Sequence, residues 1–127
     1  MLDDYIRHVH ASRQQSDLTA HIQECCEYIR AHITEELTIQ NIAAEIGYTK
    51  YYLARKFQKE MGIRLLDYIK NVRIEYAKVS LLSTEKSVQE ISDLLQFSTR
   101  NHFTRVFREI TGMTPSEFRN DRLNASN

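Results

Sequence analysis

The chain carries one pattern twice. At an offset of 49 residues, Thr38, Ile39, Gln40, Ile42, Ala43 and Tyr48 meet Ser87, Val88, Gln89, Ile91, Ser92 and Phe97. One position is inserted after the hydroxyl residue that comes next. At an offset of 50, Arg55, Phe57, Gly62 and Tyr68 then meet Arg105, Phe107, Gly112 and Phe118. Two copies are too few to stack as a solenoid. Each must bury its own apolar face, and a surface presented by one copy is presented by the other.

The pattern is helical. Ser87 followed by Glu90 is a capping box, in which hydroxyl and carboxylate each satisfy a backbone donor of the first turn. Thr114, Pro115 and Glu117 make a second helix start, with proline at the first helical position. Gly62 and Gly112 stop the helices before them. Only three glycines and one proline punctuate 127 residues, and no segment alternates with period two. Helices are predicted at about 18–33, 38–46, 50–60, 65–82, 87–95, 99–110 and 115–121. In the helix joining the copies, Leu66, Ile69, Val72, Tyr76, Val79 and Leu82 or their near neighbours supply an apolar stripe. At the start, Leu2, Tyr5, Ile6 and Val9 predict a short amphipathic segment running into a polar connector.

The expected fold class is therefore all-α: two helix-turn-helix subdomains joined by a long linker helix, about seven helices in all. The expected boundaries are a connector at 1–17, a first lobe at 18–64, the linker helix at 65–83, a second lobe at 84–122 and a tail at 123–127. At this length the chain is one domain, or two very small ones sharing a core. One mismatch stands out. Gly47 occupies the tight turn of the first copy, whereas the second has Gln96. A side chain held left-handed there costs about 1 kcal/mol, so Gln96→Gly is expected to stabilise slightly and to leave any nucleic-acid preference nearly unchanged. Gln96 is read as sitting in a mildly strained or reshaped turn, with an amide reaching a phosphate as the functional alternative.

The formal net charge is zero, but its distribution is uneven. Residues 1–47 hold three basic and eight acidic side chains, and residues 48–127 hold fourteen basic and nine acidic. Lys50, Arg55, Lys56 and Lys59 form one acid-free cluster, and Arg100, Arg105 and Arg108 form another at the matching place. No run of 18 apolar residues exists and no leader precedes a cleavage site, so neither a membrane span nor a signal peptide is expected. Cys25 and Cys26 are adjacent, which suits reduced thiols in a cytoplasmic protein. His21 and Cys25 share a helix face, but two ligands make a weak metal site. The histidines His8, His10, His21, His32 and His102 are dispersed, and no phosphate loop or nucleophile motif occurs. No enzyme, cofactor or metal is expected.

A short helix, a tight turn and a second helix with basic and polar residues is the helix-turn-helix arrangement. In the first copy Leu53 and Phe57 turn inward, while Lys50, Tyr51, Ala54, Arg55 and Gln58 face away. In the second, Phe103, Phe107 and Ile110 turn inward, and Arg100, Asn101, Thr104, Arg105 and Arg108 face away. Arginine can pair bidentately with guanine, asparagine with adenine, and tyrosine or alanine can touch a thymine methyl. Lysines and hydroxyls suit phosphate positioning. That assigns Thr49, Lys50, Lys56, Lys59, Ser98, Thr99, Thr104 and Arg108 to the DNA backbone. A linker of eighteen residues spans about 27 Å, close to one turn of duplex DNA.

The stretch from "LTIQNIAAEIGYTKYYLARKF" through "KSVQEISDLLQFSTRNHFTRVFREITGMTPSEFR" resembles the AraC/XylS DNA-binding domain over roughly residues 22–119. The most specific part is Phe103, Arg105, Phe107, Gly112, Pro115, Phe118 and Arg119. The resemblance implies double-stranded DNA as partner, with base contacts from Tyr51, Ala54 and Arg55 in one lobe and Arg100, Asn101, His102 and Arg105 in the other. Ala54 departs from the polar residues common at its position. His102 could equally pack beside Phe103. Family members are usually activators with an effector-sensing or receiver domain ahead of the DNA-binding part, so Leu2 to Asp17 read as a leftover connector, with a short stand-alone regulator as the alternative. The competing expectation is a helical protein-interaction module, contacting RNA polymerase through an acidic surface at Glu24, Glu27, Glu35 and Glu36 without reading bases.

Overall fold

The computed structural model describes residues 20–125, and seven helices without a strand run through them. They are α1 (20–31), α2 (Ile39–Ile46), α3 (Lys50–Met61), α4 (Leu65–Ser83), α5 (Val88–Leu94), α6 (Arg100–Thr111) and α7 (Pro115–Ala125). The expected amphipathic segment at 1–17 lies outside the described residues. The chain forms two compact units. Among the described residues, one holds 20–31 and Thr38–Leu65, and the other holds His32–Leu37 and 66–125.

Helix starts share one chemistry. Thr38, Thr49, Ser87, Thr99 and Thr114 each accept, through the side-chain hydroxyl, the N–H three residues on, at 3.0–3.2 Å. Each bond satisfies a donor that the first helical turn leaves over. Gly62 and Gly112 end α3 and α6 with left-handed backbone (φ 75° and 83°), as the sequence predicts. The caps also locate the insertion. Thr49 and Thr99 are equivalent caps at an offset of 50, so Ser98 is the extra residue.

In the first unit, Ile22, Cys25 and Ile29 of α1 are buried, with Ile42 and Ala43 of α2 and Leu53 and Phe57 of α3. The Tyr48 hydroxyl hydrogen-bonds the His21 Nδ1, and the rings meet edge to face at 5.3 Å. His21 is thereby committed to the start of the turn, and no cluster of three metal-ligating side chains occurs among the described residues.

The second unit packs Ile74, Ala77 and Leu81 of α4 against Val88, Ile91 and Leu95, the aromatics Phe97, Phe103, Phe107 and Phe118, and Val106. Phe97–Phe103, Phe103–Phe107 and Phe107–Phe118 centroids lie 5.1, 5.9 and 5.5 Å apart, the tilted and edge-to-face range that aromatic quadrupoles favour. Ser92 is fully buried where the first copy has Ala43, and its hydroxyl donates to the Thr99 carbonyl at 3.4 Å.

Two expectations need correction. Ile110 does not turn inward but is 40% exposed; Val106 fills that part of the core. On α4, Leu66, Tyr76, Val79 and Leu82 are exposed. Leu65, Ile69 and Val72 are buried on one side, whereas Ile74, Ala77 and Leu81 are buried about 150° around the helix. The buried face changes sides at Arg73, beyond which Ile74, Ala77 and Leu81 join the aromatic core.

The tail motif is structural. Arg119 on α7 donates Nε to the Leu81 carbonyl at 2.9 Å and Nη2 to the Thr84 and Lys86 carbonyls at 3.3 and 2.7 Å. One cation thus ties α7 to the last turn of α4 and to the connection that follows it, where the helix dipole also favours positive charge.

Gln96 is the only described non-glycine residue with positive φ (64°), matching Gly47 at 90°. Its amide does more than tolerate the strain: Nε2 donates to the Thr34 carbonyl at 3.0 Å. A neutral hydrogen bond returns about 0.5–1.5 kcal/mol, which offsets the left-handed cost of about 1 kcal/mol. The stabilisation expected from Gln96→Gly therefore shrinks to near zero.

Arg119→Ala should lower stability by about 1.5–3 kcal/mol, since it strands carbonyls held by a charged donor; urea unfolding of the two proteins measures it. Burial, then the neighbouring Cys26, pushes the Cys25 thiol up to about 12. Near pH 8, native protein should give one fast thiol with a disulfide reagent, from the half-buried Cys26, and a second only on unfolding.

Candidate nucleic-acid interface

The outer faces of α3 and α6 are built by the same local rules. Thr49 and Thr99 cap them in extended backbone (ψ 154° and 157°), and each hydroxyl keeps its own hydrogen to donate outward. Leu53 and Phe57 anchor α3, and Phe103, Val106 and Phe107 anchor α6. Helical periodicity then turns the polar residues between them away from the core.

On α3, Lys50, Arg55 and Lys59 are exposed, Tyr51 is 73% exposed, and Ala54 and Lys56 are half-buried. The Lys50 ammonium stands 5.1 Å from the Tyr51 ring centroid, within cation–π range. Tyr52, Arg55, Lys56 and Lys59 line an open groove of about 330 Å³. Tyr52 was not expected in this set. It packs edge to face on Tyr48 (4.9 Å) with Lys56 5.6 Å from its ring, so the turn aromatic and a basic side chain share it.

On α6, Arg100, Asn101, Arg105 and Arg108 are exposed and Thr104 is half-buried, with exposed Ser98 and Thr99 just before them. Asn101, Thr104, Arg105, Arg108, Glu109 and Thr114 surround an open groove of about 440 Å³. Thr114 belongs to the next helix start, so only the fold brings it beside α6; the helix-start motif was its one signal in the sequence. Glu109 adds an acid at the rim, just beyond the acid-free segment.

His102 differs from its neighbours. It is half-buried, edge-on to Phe97 at 5.5 Å, and its Nδ1 is buried without a hydrogen-bond partner.

No helix among the described residues is long and apolar enough to cross a membrane. Residues 42–121 match the sequence model of a helix-turn-helix domain. The Transposon Tn10 TetD protein of Escherichia coli is 35% identical over 105 residues, which cover 83% of this chain and 76% of that protein. An HTH-type transcriptional regulator of Staphylococcus aureus is 29% identical over 118 residues, 93% of this chain but 16% of that protein. The chain thus spans about a sixth of the length of that relative. Among solved structures, an AraC-type DNA-binding-domain transcriptional regulator of Chromobacterium violaceum superposes with a TM-score of 0.78 at 28% identity, covering 84% of this chain and 96% of that one. The duplicated helix-turn-helix with exposed basic faces and these likenesses agree: the chain belongs to the AraC-type helix-turn-helix family of DNA-binding transcriptional regulators.

Proposed function

We propose that this chain reads double-stranded DNA by setting α3 and α6 into adjacent major-groove segments, and that it activates transcription. The observation that carries the reading is the pairing of two exposed, acid-free basic faces, each behind a threonine cap, at corresponding positions of a duplicated unit. In this reading the lobes are 18–64 and 84–122, joined by 65–83. Arg55, Arg100 and Arg105 offer bidentate donors to guanine, Asn101 suits adenine, and Tyr51 and Ala54 suit a thymine methyl. His102 presents the ring edge left over from its packing on Phe97. Thr49, Lys50, Lys56, Lys59, Ser98, Thr99, Thr104 and Arg108 hold phosphates and fix the register. Nothing in this chemistry calls for a catalytic group or a cofactor.

In a longer protein, an effector-sensing or receiver domain ahead of these residues would control them, in the cytoplasm where the DNA is. RNA polymerase is the partner through which activation would act, and Glu24, Glu27, Glu35 and Glu36, all exposed, are the acidic side chains offered to it. If that surface is the whole function, duplex binding is absent and the second reading, an interaction module, takes over.

Affinity for duplex should fall with salt along a log–log slope of about −4, from Lys50, Lys56, Lys59 and Arg108 at roughly −0.9 each. Lys59→Ala should flatten it by about one without changing sequence preference; a fluorescence titration at several salt concentrations reads both. Arg55→Ala or Arg105→Ala should cost about 1–3 kcal/mol on the preferred duplex and relax preference at one position each. Selection from a random duplex pool should return two half-motifs about one helical turn apart. No measurable duplex affinity at low salt overturns the reading.

A further inference from the structure

Consecutive main-chain carbonyls of the segment His32–Leu37 are held by side chains from the same compact unit. Gln96, in the α5–α6 turn, donates Nε2 to the Thr34 carbonyl at 3.0 Å across 62 residues of sequence. Arg73, on α4, donates Nη2 to the Glu35 carbonyl at 3.4 Å. The segment further anchors itself through buried Ile33 and a bond between His32 and Glu35. Gln96 is thus the one described side chain in a left-handed backbone, and that side chain is tied to a point fixed from elsewhere in its unit. In the first unit the corresponding Gly47 has no side chain, and a Cβ there would meet nothing within 4 Å.

The tie constrains the rest of the turn. The Leu95 and Phe97 N–H groups close the end of α5 on Ile91 and Ser92, and Gln96 N–H bonds the Asp93 carbonyl at 3.1 Å. Three residues after Gln96, Thr99 caps α6. Ser98, the residue without a counterpart in the first copy, lies between them and makes this turn one residue longer than the first. A bond that fixes Gln96 at the head of the longer turn limits the directions in which α6 can leave it.

We propose that Gln96 is a positioning residue for α6: by binding the Thr34 carbonyl it aims the second reading helix and so sets base discrimination there without touching DNA. This rests on the DNA-reading role proposed above. The amide is then spent inside the protein, not on a phosphate, and the glutamine is preferred over the less strained glycine for the bond it makes.

The test uses the full chain and two variants. Gln96→Gly relieves the left-handed backbone and removes the tie. Gln96→Glu keeps size and shape but cannot donate at neutral pH. Binding is measured to four duplexes from the pool selection: intact, either half-motif scrambled, and both scrambled. The ratio of affinities between the intact duplex and the one scrambled in the α6 half should fall about fivefold in both variants, as loss of one neutral hydrogen bond predicts. The ratio for the α3 half and the fully scrambled affinity should stay at wild type, whereas simple destabilisation would lower all of them together. Amide hydrogen exchange without DNA should quicken at residues 34–37 and 97–99 in both variants. Wild-type discrimination by Gln96→Gly overturns the proposal, and so does unchanged exchange. If the wild-type chain prefers no duplex, the functional reading fails instead, and exchange alone still decides whether Gln96 holds the turn.

Discussion

Neither α3 nor α6 could leave its turn as it does without one residue of left-handed backbone at the end of the preceding helix. Hydrogen bonds fix the geometry on both sides. Gly47 and Tyr48 N–H groups both return to the Ala43 carbonyl, at 2.9 and 2.8 Å, and Phe97 N–H returns to Ser92 at 3.1 Å. With the backbone so constrained, the next aromatic is carried toward the core, the threonine after it becomes a cap, and the outer face of the second helix is decided. In the first unit glycine meets this demand at little cost. In the second a glutamine meets it and draws a distant segment into the same unit.

The same economy governs the helix ends. Five hydroxyl caps open helices, and Arg119 closes α4 by collecting three carbonyls from residues 81–86. A cation at that place satisfies acceptors that the helix cannot, in a position the macrodipole already favours. Arg119 of the tail motif therefore belongs to the fold, while Arg105, in the same motif, stands exposed on the outer face of α6.

What could be read from the sequence divides by range. Caps, stops and helix spans rest on residues three or four apart, and Ser87, Thr114, Gly62 and Gly112 all act as local chemistry requires. Polar faces of α3 and α6 followed from where Leu53, Phe57, Phe103 and Phe107 must point. Periodicity gives the side of a helix but not how far along it a core extends, so Ile110 shares the inward side yet stays exposed past the end of the packing. On α4, Tyr76 and Val79 continue the register of Ile69 and Val72, and nothing local announces that burial moves to Ile74 and Ala77. The Gln96–Thr34 bond joins residues 62 apart in the chain, where pattern reading has no purchase.

Ser92 draws out what the second copy has become. Where the first copy fills the helix crossing with a methyl group, the second buries a hydroxyl and satisfies it on the Thr99 carbonyl. Gln96 likewise trades permissive backbone for a directed bond. At these two positions the first copy relies on small size alone, and the second on bonds that require an acceptor. The two are no longer interchangeable cassettes. Grafting α5 and its turn onto the first unit would carry over an amide whose Thr34 acceptor stays behind, and the reverse graft would carry over Tyr48 without its His21 partner. Each turn is keyed to its own unit by one side chain, Gln96 in the second copy and Tyr48 in the first.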